Sequence, residues 1–211
     1  IITDWNNLMM DSFRAEKTNP PMASRTMAIV HTSMYDAVNT VVGTHQPYRI
    51  VTTTPLGTSA EAAAAVAAHR ALSTLYPTRT AIFDSALAGH LSGISDGPGK
   101  VDGIALGGFV AGEMLAWRGG DGSSDVVDYT PGTEPGDWRP TGPGFLPALL
   151  PGWGLVTPWT MTSGSQFRVG GPPSLGSAEY TEAYNEVKAY GAKTGSVRTA
   201  DQPEIAKFWA D

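Results

Sequence analysis

The sequence predicts an all-α fold, a helical bundle interrupted by a long irregular Gly/Pro-rich excursion. Three observations predict it. Apolar residues recur at helical spacing through the first 118 residues. Helix start and stop residues bracket those stretches. Glycine and proline then become dense: from Gly119 to Gly176 there are 13 glycines and 9 prolines in 58 residues, which leaves regular helix or sheet little room.

The elements follow in order. Thr3 or Asp4 can cap a first helix that carries Trp5, Leu8, Met9 and Phe13 at helical spacing. Asn19 before Pro20 starts a second, since proline suits a first turn. It runs to about Val38 and sets Ser24, Met27, Ala28, His31, Tyr35 and Val38 on one face. Thr58 and Glu61 have capping-box spacing. They open an alanine-rich third helix that stops at Tyr76-Pro77, because proline disfavours helix in the residue before it. A fourth helix covers roughly Thr80 to Ile94, with Phe83, Leu87, Leu91 and Ile94 inward, and Asp96-Gly97-Pro98-Gly99 is a turn. The fifth, roughly Val101 to Trp117, carries Gly103, Gly107, Gly108 and Gly112. Glycine weakens a helix by about 1 kcal/mol per residue, so four of them point to the close approach of another helix.

The excursion carries Tyr129, Trp138, Phe145, Trp153, Trp159 and Phe167. Aromatic side chains bury large areas, so an ordered segment laid over the helices is expected rather than a flexible linker. Helix returns at about Ser177 and continues to Ala192. Thr199 and Gln202 again have capping-box spacing, and Ile205, Phe208 and Trp209 form an apolar stripe at i, i+3 and i+4. That stripe stands at the end of the sequence with no stop signal after it, as if a helix were cut. The expected organisation is residues 1–118 as the helical bundle, 119–176 as the excursion, and 177–211 as helices leading into a further half.

Composition narrows the function. An apolar fraction of 41% fits a globular protein, and a net charge of −6 offers a polyanion such as nucleic acid no basic patch. The longest apolar run, Ala62 to Ala68, falls far short of the roughly 20 residues that a membrane span requires. There are no cysteines, which excludes disulfides, thiolate nucleophiles and cysteine metal sites. An isoleucine at position 1 is what removal of an export signal leaves, which points to a secreted or periplasmic protein; residues preceding Ile1 would account for it equally.

Ten segments, in order along nearly the whole chain, resemble one family. They are Asn19-Pro-Pro-Met-Ala-Ser-Arg-Thr-Met-Ala-Ile-Val-His31, Met34-Tyr-Asp-Ala-Val-Asn39, Ala68-His-Arg-Ala-Leu72 and Gly103-Ile-Ala-Leu-Gly107. Next come Tyr129-Thr-Pro-Gly132, Pro147-Ala-Leu-Leu-Pro-Gly-Trp-Gly154 and Ser163-Gly-Ser-Gln-Phe-Arg168. The last are Ser177-Ala-Glu-Tyr180, Tyr184-Asn-Glu-Val-Lys188 and Arg198-Thr-Ala-Asp-Gln202. Together they resemble the bacterial branch of the vanadium-dependent haloperoxidases, relatives of the acid phosphatases. The resemblance implies two four-helix bundles, of which this region is the first with its long loop, mainly scaffold. It implies halide oxidation by hydrogen peroxide, or phosphoester hydrolysis in the related phosphatases, at a site that binds vanadate or phosphate.

In the family that site rests on three motifs: Lys-x6-Arg-Pro, Pro-Ser-Gly-His, and Ser-Arg-x5-His followed by an aspartate. Arginines and a lysine neutralise the oxyanion and histidines handle bonding and protons. Here Arg139-Pro140 ends the first motif, but Gly132 stands where its lysine belongs, and Ser163-Gly164-Ser165 replaces the histidine of the second with serine. Ser24-Arg25 and His31 fit the third, with Asp36 one residue late. The expectation is that the oxyanion-binding residues lie beyond Asp211, in a C-terminal half that is continuous with this chain or attached as a nicked second chain. The chain alone is then inactive; association of several copies is open.

Within the chain, Arg25, His31 and Asp36 are the catalytic candidates, and a hydrolase built on these three is one alternative. Against it, Arg25 and His31 lie six residues apart, about 120° around a helix. A buried histidine on a core-facing stripe and hydrogen-bonded scaffold roles for Arg25 and Asp36 are the plainer expectation. His69 and Arg70 are expected in polar contacts on a helix surface, His45 and His90 in solvent. The histidines lack zinc-site spacing. Asp121-Gly122 with Asp125 and Asp128 offers oxygens to calcium but departs from the calcium-loop pattern. Trp138, Trp153 and Trp159 either line a channel or pack the excursion onto the helices. A non-catalytic helical interaction or scaffold domain is the remaining alternative.

Overall fold

The computed structural model describes residues 1–210. Among them the regular structure is helical throughout, as the sequence predicts, with seven α-helices and no strand. The described residues form two compact units, Ile1–Gly164 and the residues from Ser165 onward.

The first unit contains five helices: α1 (Ile2–Ala15), α2 (Pro20–Val42), α3 (Ala60–Leu75), α4 (Thr80–Ser92) and α5 (Pro98–Gly119). The α3 helix is its centre and packs against α1, α2, α4 and α5, while α2 also packs against α5. Ala62 through Ala68 are all buried, as are Ala71 and Leu72. Around them sit Trp5 and Met9 of α1, Ile29, Val30, Met34 and Ala37 of α2, Phe83 of α4, and Leu106, Val110, Ala111 and Met114 of α5.

One helix start follows the expected chemistry and two differ. Asn19 caps α2 through its side-chain oxygen, which accepts from the Met22 amide at 3.0 Å. Ser59, one residue later than Thr58, caps α3 by accepting from the Ala62 amide. Thr58 instead turns its hydroxyl back to the carbonyl of Pro55 at 2.7 Å. The first helix begins at Ile2, so Thr3 and Asp4 lie inside its first turn rather than at its cap. At the far end of α2, Gly43 adopts φ 63°, a left-handed stop that lets its amide reach the Asn39 carbonyl.

The face of α2 that buries is not the one expected. Ile29, Val30, Ser33, Met34 and Ala37 enter the core, whereas Met27 and Tyr35 are exposed and His31 and Val38 only half-buried. Both faces of this helix are largely apolar, so helical periodicity alone does not choose between them.

The glycines of α5 do mark a close approach, and the partner is α3. A Cβ placed at Gly103 would stand 2.5 Å from the Ser59 carbonyl oxygen, and one at Gly107 would strike the backbone of Ala63. Gly112 leaves room for the Arg70 guanidinium, whose Nη1 donates to the Gly108 carbonyl at 2.8 Å.

The excursion is irregular, as expected, apart from a single 3₁₀ turn at Trp153–Leu155. Residues up to Gly164 belong to the first unit and the remainder to the second, so it does not behave as one piece. Its aromatics divide likewise. Trp159 packs against the core; Tyr129 and Trp138 contact each other with ring centroids 5.5 Å apart; Phe145 and Phe167 are exposed.

The second unit holds α6 (Ala178–Gly191) and α7 (Asp201–Ala210). The Ser177 side chain caps α6, and the Thr199 amide donates to Gln202 Oε1 at 3.0 Å, the contact that capping-box spacing predicts. Between them Arg198 reaches back to the carbonyls of Tyr190 and Ala192, satisfying the open end of α6. No residue of either helix is buried, and Phe208 and Trp209 remain 75% and 80% exposed. Asp211, where the cut helix was read to end, lies outside the described residues. Among the described residues no helix is long and apolar enough to cross a membrane.

Candidate functional site

Arg25, His31 and Asp36 all belong to α2, yet each faces different surroundings. Arg25 points to the end of α5. Its Nε donates to Asp121 Oδ2 at 2.7 Å and its Nη2 to the Arg118 carbonyl at 2.7 Å. Asp36 is 1% exposed and accepts three backbone amides, from Tyr48 at 2.6 Å, Arg49 at 3.0 Å and Ile50 at 2.8 Å. It fixes the chain that leaves α2. His31 lines a separate groove of about 390 Å³ with Met34, Tyr35, Val38, Asn39 and His45. The three candidates therefore converge on no common point. His31 sits on the half-open face of its helix rather than on the expected core stripe.

The other histidines divide. His45 is exposed, as expected. His90 is not: its ring packs 5.8 Å from that of Trp5 and its side chain is 17% exposed. His69 makes the expected polar contact, with Nε2 2.6 Å from Asp84 Oδ1.

The strongest concentration of buried charge lies where α2, the end of α5 and residues 157–159 meet. Asp121 Oδ2 receives Arg25 and also Arg118, whose Nη2 is 2.6 Å away. Asp121 Oδ1 accepts the Ser123 amide at 3.0 Å. Arg118 Nη2 also donates to the Thr157 carbonyl at 2.8 Å, and the Thr157 amide donates to the Asp121 carbonyl, also at 2.8 Å. The Arg118 guanidinium stacks between two indoles, 4.8 Å from the centroid of Trp117 and 4.4 Å from that of Trp159. Arg49 covers Trp117 at 4.1 Å, and the Tyr48 hydroxyl donates to the Trp159 carbonyl. Burial holds the Tyr48 phenol above its ordinary value, against the pull of Arg118 and Arg49.

Burial raises the Asp121 pKa, but hydrogen bonds from Arg25 and Ser123 and the Arg25 charge outweigh it and hold the carboxyl at about 2. A carboxyl depressed in the folded state stabilises the fold above its unfolded pKa. That contribution is lost as pH falls from 3.8 towards about 2. At about 1.4 kcal/mol per pH unit of displacement the loss is about 2 kcal/mol. Urea unfolding between pH 5 and about 2 should show this slope in the parent chain and lose it in Asp121→Asn.

Neither α2 nor this cluster suits vanadate or phosphate. Arg25 and Arg118 already share an internal carboxylate that repels an incoming oxyanion, and His31 faces elsewhere. Gly132, in the place of the motif lysine, is pressed against the Asp137 side chain, and Arg139 is exposed. The carboxylate of Asp121 is engaged by the two arginines, while Asp125 and Asp128 are exposed. Trp138 lines one cavity, of about 720 Å³, and Trp153 with Trp159 another, of about 440 Å³, so the three tryptophans form no single channel.

Sequence reasoning singled out Arg25, and Asp121 only as an oxygen donor to calcium; it did not single out Arg118 or link either residue to Arg25, from which they lie 93 and 96 residues away. No periodicity links positions so distant. No family model, curated protein or solved structure matches this chain.

Proposed function

We propose that the chain is the helical scaffold part of an enzyme of the vanadium-dependent haloperoxidase type, whose oxyanion site is carried by polypeptide other than these 211 residues. The observation that carries this reading is the ordered run of ten similar segments from Asn19 to Gln202. The helices around α3 would be the first of two bundles. The exposed Ile205, Phe208 and Trp209 of α7 would receive helices of the catalytic half. The dispersal of Arg25, His31 and Asp36 supports a scaffold role and disfavours a hydrolase built on them.

The test compares the 211-residue chain with the full product of its gene, each with vanadate, hydrogen peroxide and bromide, and each with p-nitrophenyl phosphate. The full product should brominate a phenolic dye in a vanadate-dependent manner, and the 211-residue chain should be inactive. Phosphoester hydrolysis without bromination would assign the phosphatase alternative. Turnover by the 211-residue chain alone overturns the proposal, and so does a full product with neither activity, which would mark a non-catalytic domain.

A further inference from the structure

The outer face of α2 carries no charge. Its exposed residues are Pro20, Ser24, Met27, Tyr35 and Val42. The one guanidinium and the one carboxylate of this helix both turn inward, Arg25 to Asp121 and Asp36 to the amides of residues 48–50. Other helices differ: α1 exposes Asp4, Asp11 and Arg14, and α6 exposes Glu179, Glu182 and Glu186. A helix that faces water sets charged residues on its outer side, and charge is depleted where a partner covers a surface.

The face also has a shape. The groove of about 390 Å³ is walled by Met34, Tyr35, Val38 and Val42, and none of its nine lining residues is a carboxylate, lysine or arginine. The Tyr35 hydroxyl donates to the Gln46 carbonyl at 2.8 Å, which fixes that wall. Met27 stands outside the groove and is 39% exposed. From position 27 to position 38 the helix makes three turns to within about 20°, so this apolar knob and the groove share one face, about 16 Å apart along the axis.

A knob and a groove on the same face are complementary to a second copy of that face. Turned by a two-fold axis, two α2 helices run antiparallel, and the Met27 of each copy enters the groove of the other, a contact made twice. Methionine suits such a seat, being apolar and flexible. Charge selects the same partner. The chain carries a net charge of −6, so two copies repel each other through any acidic surface, and the uncharged face of α2 is where they can meet without that opposition.

We propose that the chain forms a two-fold dimer through the outer face of α2, with Met27 of each copy seated in the partner's groove beside Val38 and Val42. The proposal does not depend on the enzymatic reading given above.

Sedimentation velocity at micromolar concentration tests it. The 211-residue chain and the full product of its gene should each sediment as two chains. Met27→Lys and Val42→Glu, both at exposed positions, should each weaken the dimer by about tenfold or more while the far-ultraviolet circular dichroism stays that of the parent. An equimolar mixture of the two variants should restore the dimer, because the lysine of one then meets the glutamate of the other and the second contact remains apolar. Val101→Glu, at a 64% exposed position of α5, should leave the dimer intact. A monomeric 211-residue chain overturns the proposal. So does a monomeric full product, in which further polypeptide would cover the face. A dimer that survives both α2 substitutions, a mixture that stays monomeric, or a Val101→Glu chain that dissociates as readily as the α2 variants also overturns it.

Discussion

Asp121→Ala should destabilise the first unit by about 3–5 kcal/mol, the cost of removing one partner from a buried ionic group. The side chain is 2% exposed, and among the described residues it is the only carboxylate that pairs with Arg25 or Arg118. Without it two guanidiniums face each other away from water, and Arg118, already lacking partners at Nε and Nη1, loses its one ionic contact. Asp11→Ala is the matched control. Its partner Arg14 and Asp11 itself are both largely exposed, so the change should cost about 1 kcal/mol or less. Equilibrium urea unfolding of the two variants decides the matter: an Asp121→Ala chain as stable as Asp11→Ala would show that the cluster does not hold the excursion to the helices.

Gly107→Ala should destabilise by about 2 kcal/mol, reversing the sign that helix propensity gives. In an open helix interior, glycine to alanine gains about 1 kcal/mol. At Gly107 the new methyl would meet the Ala63 carbonyl, with the Ala67 amide nitrogen 3.0 Å away. These are backbone atoms of α3, so relief requires the two helices to separate. Gly89→Ala in α4 supplies the contrast, since a Cβ there meets nothing within 4 Å. Thermal denaturation should place the Gly89 variant above the parent and the Gly107 variant below it. Two variants shifted in the same direction would remove the α3–α5 contact as an explanation for the glycines.

These two positions show how far the sequence could be read. Gly103 and Gly107 announced a close neighbour because a glycine cluster in a helix has a local cost that only packing offsets, although the neighbour's identity was not legible. The cap at Asn19 was legible because capping is a contact three residues long. The choice of Ser59 over Thr58 was not, since adjacent hydroxyls offer the same chemistry and the turn at Pro55 decided between them. The buried face of α2 was misread because Met27, Ala28, Tyr35 and Val38 make an apolar stripe as plausible as the one that enters the core. The charge cluster escaped entirely: Arg118 was not singled out, and Asp121 was weighed only as a calcium ligand. Their roles come from a docking of residues 157–159 that no local pattern encodes.

Seven of the nine buried positions of α3 are alanine. A methyl group has no rotamer to lose, so ordering this central surface costs almost no side-chain entropy. The same economy removes slack. Longer side chains can swing aside to admit an added atom, but a wall of methyls and backbone cannot. Sequence drift in this layer is therefore confined to residues of nearly the same volume, and compensating exchanges must occur in the four surrounding helices, where Trp5, Ile29, Phe83 and Met114 still have conformations to choose from.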